Sequence, residues 1–437
     1  MYPILVKDIK KIKEQPLISM IYFVRNNNKF AMSVNETALE ILLLCDGFNS
    51  LEDIKNILIK KYNEKYNVVS DFVDDFVKDS VKIGNIILNN TPVEQKCNFK
   101  YVGNKNYWTP DMISIELTHS CPLKCKHCFL DAGIGEMMNN ELLERICKEA
   151  IELGVELIQL TGGEPLLHPK VFDIIDYILE NNTEVHLFTS GFLCDTEILN
   201  KLKKYQNKKL VVQISIDGLE KYHNEFRGNE NSFNNALKLI KFLTSNNIQT
   251  VVGTCITDQK YNEIDKLCSL LKELGVNRHR ISTISERGRS VTNNLVSSGT
   301  KINKVKDIKK ILSEKYNSPN FKVMYNEEQE IELNLKYIKN CGMGQTMLKI
   351  DPKGDVYPCI MCDRCTDNVI NKSLETILKK YSNDFSKIEK PHNKYCSDCD
   401  FKDLCNGCII EGLLYGAKNQ NCKWYISQKN IIDKVLN

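Results

Sequence analysis

The stretch ISIELTHSCPLKCKHCFLDAG, residues 113–133, joins two signals. Its first six residues, ISIELT, read as a β-strand. Two residues beyond that strand come Cys121, Cys125 and Cys128, three thiols within eight positions. A closed tetrahedral metal site takes four ligands, and a site with three protein ligands keeps one position open for chemistry. Cysteine thiolates also hold iron–sulfur clusters, normally four to a [4Fe–4S] cluster. With three, one iron stays open to a chelating amine and carboxylate. A three-cysteine zinc site completed by His119 or His127 is the competing assignment.

Downstream of this stretch a regular alternation begins. NELLERICKEAIELG (140–154) has helical spacing, and LIQLTGG follows as a strand. Helices near 170–181, 195–205, 233–245 and 262–274 then alternate with EVHLFTSG, KLVVQISIDG, TVVGTCIT and RHRISTIS. About six strand–helix repeats with near-continuously apolar strands predict a parallel sheet covered by helices, as a barrel or an open sheet. In such folds ligands gather at the C-terminal ends of the strands, where the three cysteines fall.

Composition sets the wider frame. The 437 residues suffice for roughly two to four domains. Hydrophobic residues make up 42% and charged residues 26%, ordinary values for a soluble globular chain. No apolar run approaches a membrane span, and MYPILVKDIKK has no apolar signal core, so a cytoplasmic enzyme without a membrane partner is expected. A net charge of +3 gives no broad basic field for nucleic acid. Cysteine is the anomaly: of 18, three lie in 121–128 and nine in 341–422, which in a chain without a signal points to metal rather than disulfides. The scattered Cys45, Cys97, Cys147, Cys194, Cys255 and Cys268 read as small buried hydrophobes.

CxxxCxxC at the end of the first strand of such an alternation resembles the radical S-adenosylmethionine (SAM) superfamily. That resemblance implies a partial (β/α)6 TIM-type barrel over 113–290 and a [4Fe–4S] cluster held by Cys121, Cys125 and Cys128, with SAM chelating the fourth iron. Further motifs follow in order. TGGEP (161–165) ends the second strand, and the family uses the backbone of Gly162, Gly163, Glu164 and Pro165 to hold the SAM amino group. Glycine lets a backbone approach a ligand closely. The resemblance also implies SAM contacts from Ser190 and from Ser215 in SIDG. YHNEFRG resembles the family's HDxxR stretch, with Asn224 in place of the aspartate. It makes Arg227 a candidate for the SAM carboxylate, which suits the bidentate geometry of arginine. Gly253 backs the adenine or serves a strand packing contact.

Near the C-terminus CGMGQTMLKIDPKGDVYPC (341–359) reads as a hairpin turning at Pro352–Lys353–Gly354. CSDCDFKDLCNGC and a final Cys422 follow. The pattern resembles the SPASM domain, placed here at 341–437 after a bridging region at 291–340. The resemblance implies two auxiliary [4Fe–4S] clusters, one on Cys396, Cys399, Cys405 and Cys422, the other on Cys341, Cys359 and Cys408. The last pair is one residue short of the usual spacing. Either Cys362 or Cys365 of CIMCDRC would complete the second set. A zinc ribbon is the alternative for 396–408.

Residues 1–95 read as a separate module. KFAMSV (29–34) is strand-like; helices are expected over NETALEILLLCDG, SLEDIKNILIKKY and SDFVDDFVKDSVKIG, with IILN as a short strand. This looks like a winged helix, yet Asp71, Asp74, Asp75 and Asp79 on the third helix would repel phosphate. The spacing to Asp46–Gly47 resembles the PqqD-like peptide-recognition element, although Val34 stands where a leucine is expected. Lys, Asn, Gly and Tyr mark 96–112 as a linker. Together these resemblances imply a radical SAM/SPASM peptide maturase, an oxidoreductase of ribosomal-peptide maturation. It would bind a precursor peptide through its leader, take electrons from a donor such as flavodoxin or ferredoxin, and form a thioether crosslink. Carbon–carbon crosslinking and epimerisation are alternatives, with no catalytic base assigned. A sulfatase maturase would carry an aspartate where Ile360 stands, and a non-catalytic zinc-binding regulatory protein is the reading of another class.

Overall fold

The computed structural model describes residues 1–25, 28–93, 99–295, 299–324, 339–405, 407–419 and 421–436. Cys97 lies outside them, as does part of the expected bridging region. The chain divides into two compact units, Met1–Thr109 and, for the described residues, Pro110 to the C-terminus.

In the first unit, β1 (Tyr2–Leu5), β2 (Ile9–Glu14), β3 (Ser19–Arg25) and β4 (Asn28–Val34) precede α1 (Glu36–Leu44), α2 (Leu51–Tyr62) and α3 (Tyr66–Ile83). β5 (Ile86–Asn89) pairs antiparallel with β1. β6 (Lys100–Gly103) pairs in parallel with β2 and completes a sheet of order β4-β3-β2-β6. The helix boundaries have local causes. Ser50 and Asp53 form a reciprocal capping box at α2, and Gly84 caps α3 in the left-handed conformation. α1 stops at Leu44, short of Gly47, because the Asp46 carboxylate accepts from the Phe48 and Asn49 N–H groups and turns the chain. Two features depart from expectation. Strands β1–β3 precede the first expected strand, and β6 falls within the segment that composition marks as a linker. Tyr107 and Trp108 in that segment are buried, so its aromatic residues anchor it instead of leaving it free.

The second unit is built on parallel strands in sequence order: β7 (Met112–Glu116), β8 (Leu157–Thr161), β9 (Glu184–Thr189), β10 (Leu210–Ser215), β11 (Gln249–Ile256), β12 (Arg278–Thr283) and β13 (Lys322–Met324). Helices α4 (Asn140–Glu152), α5 (Val171–Glu180), α6 (Thr196–Lys203), α7 (Glu220–Arg227), α8 (Ser232–Ser245) and α9 (Tyr261–Glu273) connect them. Among the described residues these seven strands follow one another across the sheet in chain order. This is an α/β fold with a partial TIM-like sheet, as the repeat predicts. The expected hairpin forms from β14 (Met347–Ile350) and β15 (Asp355–Tyr357), with β16 (Asp367–Asn368) beyond. β14 lies parallel to β7 on its free side, pairing Lys349 with Ser114, so the hairpin flanks the strand that carries the cysteine loop. Of the scattered cysteines, Cys45, Cys147, Cys194 and Cys268 are buried as expected, and Cys255 is half-buried.

His279 on β12 is fully buried; its Nε2 meets Thr254 Oγ1 at 2.8 Å and its Nδ1 has no partner. Burial pushes its pKa down to about 3. An imidazole whose folded pKa lies below its unfolded value, ~6.5, binds fewer protons folded than unfolded. Its contribution is full above that unfolded value and declines as pH falls toward the folded one. Replacing His279 by Gln is therefore expected to flatten the acid limb of stability by roughly 1.4 kcal/mol per pH unit between about pH 6 and 4. Urea midpoints of parent and variant across that range check it; parallel curves would refute it.

Candidate functional site

The loop after β7 is fixed before any ligand arrives. Cys121 N–H donates to the Gly133 carbonyl at 2.8 Å, Gly133 N–H to the His119 carbonyl at 3.1 Å, and His119 N–H to the Glu136 carbonyl at 2.8 Å. Arg289 clamps the other side. Its Nε donates to the Cys125 carbonyl at 2.9 Å, its Nη1 to the Ala132 carbonyl at 2.6 Å, and its N–H to the Cys128 carbonyl at 2.9 Å. The neighbouring Gly288 has φ +53°, and a Cβ there would stand 2.4 Å from the Cys128 carbonyl oxygen. Only glycine lets the clamp come so near. Sequence reasoning missed Arg289; its signal was the Arg–Gly–Arg run after the last repeat strand.

Cys121, Cys125 and Cys128 line one cavity of about 340 Å³ at the C-terminal rim of the sheet, together with Gly162, Gly163, Ser190, Ser215 and Arg227. Residues from the ends of β7, β8, β9 and β10 thus converge from positions up to a hundred residues apart. Glu164 is fully buried and outside that lining. Its carboxylate accepts from Thr189 Oγ1 at 2.8 Å and from the Ser190 N–H and hydroxyl at 3.0 and 2.5 Å, pinning the end of β9. Pro165, itself buried, opens a short 3-10 turn. The glycines are required by a neighbour. A Cβ on Gly162 would lie 2.3 Å from the Thr118 carbonyl oxygen, and one on Gly163 would lie 2.3 Å from that of Ser120.

Arg227 is already engaged. Its Nε donates to Asp217 Oδ2 at 2.7 Å and its Nη1 reaches Cys125 Sγ at 3.5 Å. Asp217 is fully buried, and its Oδ1 accepts from Cys255 N–H at 3.0 Å. Burial alone would raise the Asp217 carboxyl; the Arg227 charge, with His127 and His223, holds it below the usual range. Burial raises the Cys125 thiol, and the guanidinium opposes that rise. A cation hydrogen-bonded to the sulfur favours the thiolate that a metal needs. Asn224, where the motif has aspartate, accepts from Phe233 N–H at 2.9 Å and Ser232 Oγ at 3.0 Å, so it organises the start of α8. Gly253 packs on Gln213, whose Nε2 would stand 3.1 Å from an added Cβ.

Among the described residues no three His, Cys, Asp or Glu side chains converge on a single ion. A zinc site needs its ligands ~2.0–2.3 Å from one ion. Thiolates around a cubane each bind a different iron and stand farther apart. His127 stacks on Phe226 with centroids 4.6 Å apart, and His119 Nε2 sits 3.1 Å from Glu116. Neither histidine is drawn into a zinc set with the cysteines. The donor set, three thiols on an open cavity with a cation beside one of them, fits a cluster with one uncapped iron.

Cys396, Cys399, Cys405 and Cys422 line one small pocket with Trp424 and Phe401. Cys359 and Cys362 lie in an apolar core that also holds Cys396, with Cys341, Cys399, Cys408 and Cys422 packed against it, whereas Cys365 is exposed. Cys408 and Cys422 sit at the N-caps of helices Ile409–Lys418 and Lys423–Val435. A second cavity, also about 340 Å³, shares Glu116, Phe129 and Lys349 with the first and is lined in addition by Tyr357, Arg287 and Cys362. On its wall Lys349 Nζ lies 3.4 Å from Glu116 and 4.0 Å over the Tyr357 ring.

Residues 115–271 match the family model of the radical SAM superfamily, and 341–400 match SPASM, an iron–sulfur cluster-binding domain. The chain is 27% identical over 412 residues to the antilisterial bacteriocin subtilosin biosynthesis protein AlbA of Bacillus subtilis, covering 90% of this chain and 88% of that protein. It is 27% identical over 328 residues to the AdoMet-dependent heme synthase of Methanosarcina barkeri, covering 68% of this chain and 91% of that protein. Among solved structures, Streptococcus suis SuiB bound to precursor peptide SuiA aligns with a TM-score of 0.67 at 17% identity, over 96% of this chain and 98% of that one. That structural likeness establishes the fold. The chain therefore carries a radical SAM domain, with its [4Fe–4S] cluster and SAM, and a SPASM domain with auxiliary iron–sulfur clusters.

Proposed function

We propose that this chain is a maturase of a ribosomally made precursor peptide and that it installs a cysteine thioether. The observation that carries the reading is the extent of the likeness to the subtilosin biosynthesis protein. It runs through 90% of the chain, whereas the likeness to the heme synthase stops at 68%. A match that long must reach into the first unit as well as both cluster-bearing domains. In that unit the sheet ends on β4 and β6, and an extended leader could add to such an edge by main-chain pairing. We assign peptide recognition to residues 1–95, with 96–112 joining them to the barrel at 113–290, the bridging region at 291–340 and the cluster domain at 341–437.

When bound, the cluster and SAM supply a carbon radical able to abstract hydrogen from a peptide carbon, after one electron from a flavodoxin or ferredoxin. The protein's residues prepare that event. Cys121, Cys125 and Cys128 would hold three irons and leave the fourth facing the cavity. Arg227 steadies the Cys125 thiolate, while Glu164 fixes Ser190 at the cavity wall. Ser190, Ser215 and the Gly162–Gly163 backbone would orient the SAM polar groups. The second cavity, walled by Lys349 and Glu116, would receive the peptide side chain. Ile360 lines the first cavity, so an apolar group occupies the place where a sulfatase maturase would carry its carboxylate.

Co-expression with a short cysteine-containing peptide tests the reading by mass spectrometry. Loss of a pair of hydrogens per crosslink, with a thioether in the fragment ions, is the expected result. Such a loss without sulfur linkage would identify carbon–carbon crosslinking. Unchanged mass with an inverted residue would identify epimerisation.

A further inference from the structure

Two cysteines compete to complete the set of Cys341, Cys359 and Cys408. Cys362 is 1% exposed and Cys365 is exposed. Cys362 N–H donates to the Cys359 carbonyl at 3.1 Å, so a tight turn brings the two residues together in the apolar core that Cys341 and Cys408 also contact. An all-thiolate cubane is anionic, and burying an anion in an apolar core requires nearby cations. Arg287 and Lys349 line the same cavity as Cys362, and Arg287 Nη1 donates to the carbonyl of Met361 inside the turn.

We propose that Cys362, and not Cys365, is the fourth thiolate of the auxiliary cluster assigned to Cys341, Cys359 and Cys408, which is therefore capped entirely by protein. The inference rests on the auxiliary clusters of the SPASM domain and not on the identity of the peptide. It has a consequence for the chemistry. Cys362 lines the second cavity, which shares Glu116, Phe129, Leu130 and Lys349 with the cavity that would hold SAM. A fully capped cluster offers no iron to a substrate sulfur, and the incoming cysteine must react without ligating it.

The test uses the full chain with Cys121, Cys125 and Cys128 replaced by alanine, so that only auxiliary clusters remain. Iron content and the electron paramagnetic resonance spectrum of the reduced protein are compared with and without cyanide, an exogenous iron ligand. The Cys365→Ala variant and its parent should keep all their iron and show no cyanide shift. Cys362→Ala should lose about half of the auxiliary iron, one of two four-iron clusters, or gain a cyanide-dependent spectrum. A cyanide shift in the parent, a change in Cys365→Ala, or an unchanged Cys362→Ala overturns the proposal. If Cys362→Ala fails to fold, silence to cyanide in the parent and in Cys365→Ala supports it, and a response in either refutes it. Because no peptide is used, failure here leaves the maturase reading intact.

Discussion

Replacing Cys121, Cys125 and Cys128 together by alanine is expected to abolish reductive cleavage of SAM while leaving most auxiliary iron in place. The three thiols line the rim cavity, and the eight auxiliary candidates other than Cys365 lie in the C-terminal apolar core or its adjoining small pocket. Loss of one set does not remove ligands from the other. The loop backbone is tied by hydrogen bonds to Gly133, Glu136 and Arg289 that involve no sulfur, so the fold should survive. Of about twelve irons in three four-iron clusters, roughly eight should remain. Chromatography of 5′-deoxyadenosine after reduction gives the activity, and a colorimetric assay gives the iron. Cleavage persisting in the triple variant would contradict the assignment of these cysteines.

The barrel was legible because strands buried on both faces leave apolar runs of fixed spacing, as in KLVVQISIDG. The cysteine and glycine motifs were legible because each lies at a strand end. Strand β2 was not: four of the six residues in IKKIKE are charged, yet Ile9, Ile12 and Lys13 are buried, the two isoleucines in the core that the three helices of the first unit form. Tertiary packing overrode local composition there. In the site, Arg227 was found but its partners were not, since Asp217 lies ten residues away and Cys125 lies 102 away. The same holds for Lys349. It belongs to a hairpin of the cluster domain, and only its parallel pairing with β7 brings it to Glu116. The glycines of TGGEP were read as room for a ligand. Collision with Thr118 and Ser120 is a requirement of the fold itself, and it needs the neighbouring strand end to be seen.

The buried pair of Asp217 and Arg227 should carry the largest stability effect of any single polar change in the barrel. Removing one member of a buried ion pair leaves an uncompensated charge and typically costs about 3–5 kcal/mol. Asp217→Ala should show a loss of that order in urea unfolding, because it also strips the acceptor from Cys255 N–H. Replacing both partners by apolar groups is far less costly than removing one, so adding Arg227→Met should recover much of the loss. The pH dependence has a defined sign. The folded pKa of Asp217 lies below its unfolded value, ~3.9, so the contribution of the pair is complete above that pH and fades only as pH drops through the lower folded value. The deficit of Asp217→Ala should therefore be constant from about pH 5 to 8 and shrink in stronger acid. A deficit below about 1 kcal/mol, in the range of exposed pairs, would show that solvent reaches the pair. Arg227 would then be free to leave Cys125 for a ligand carboxylate, and its contact with that sulfur would be incidental.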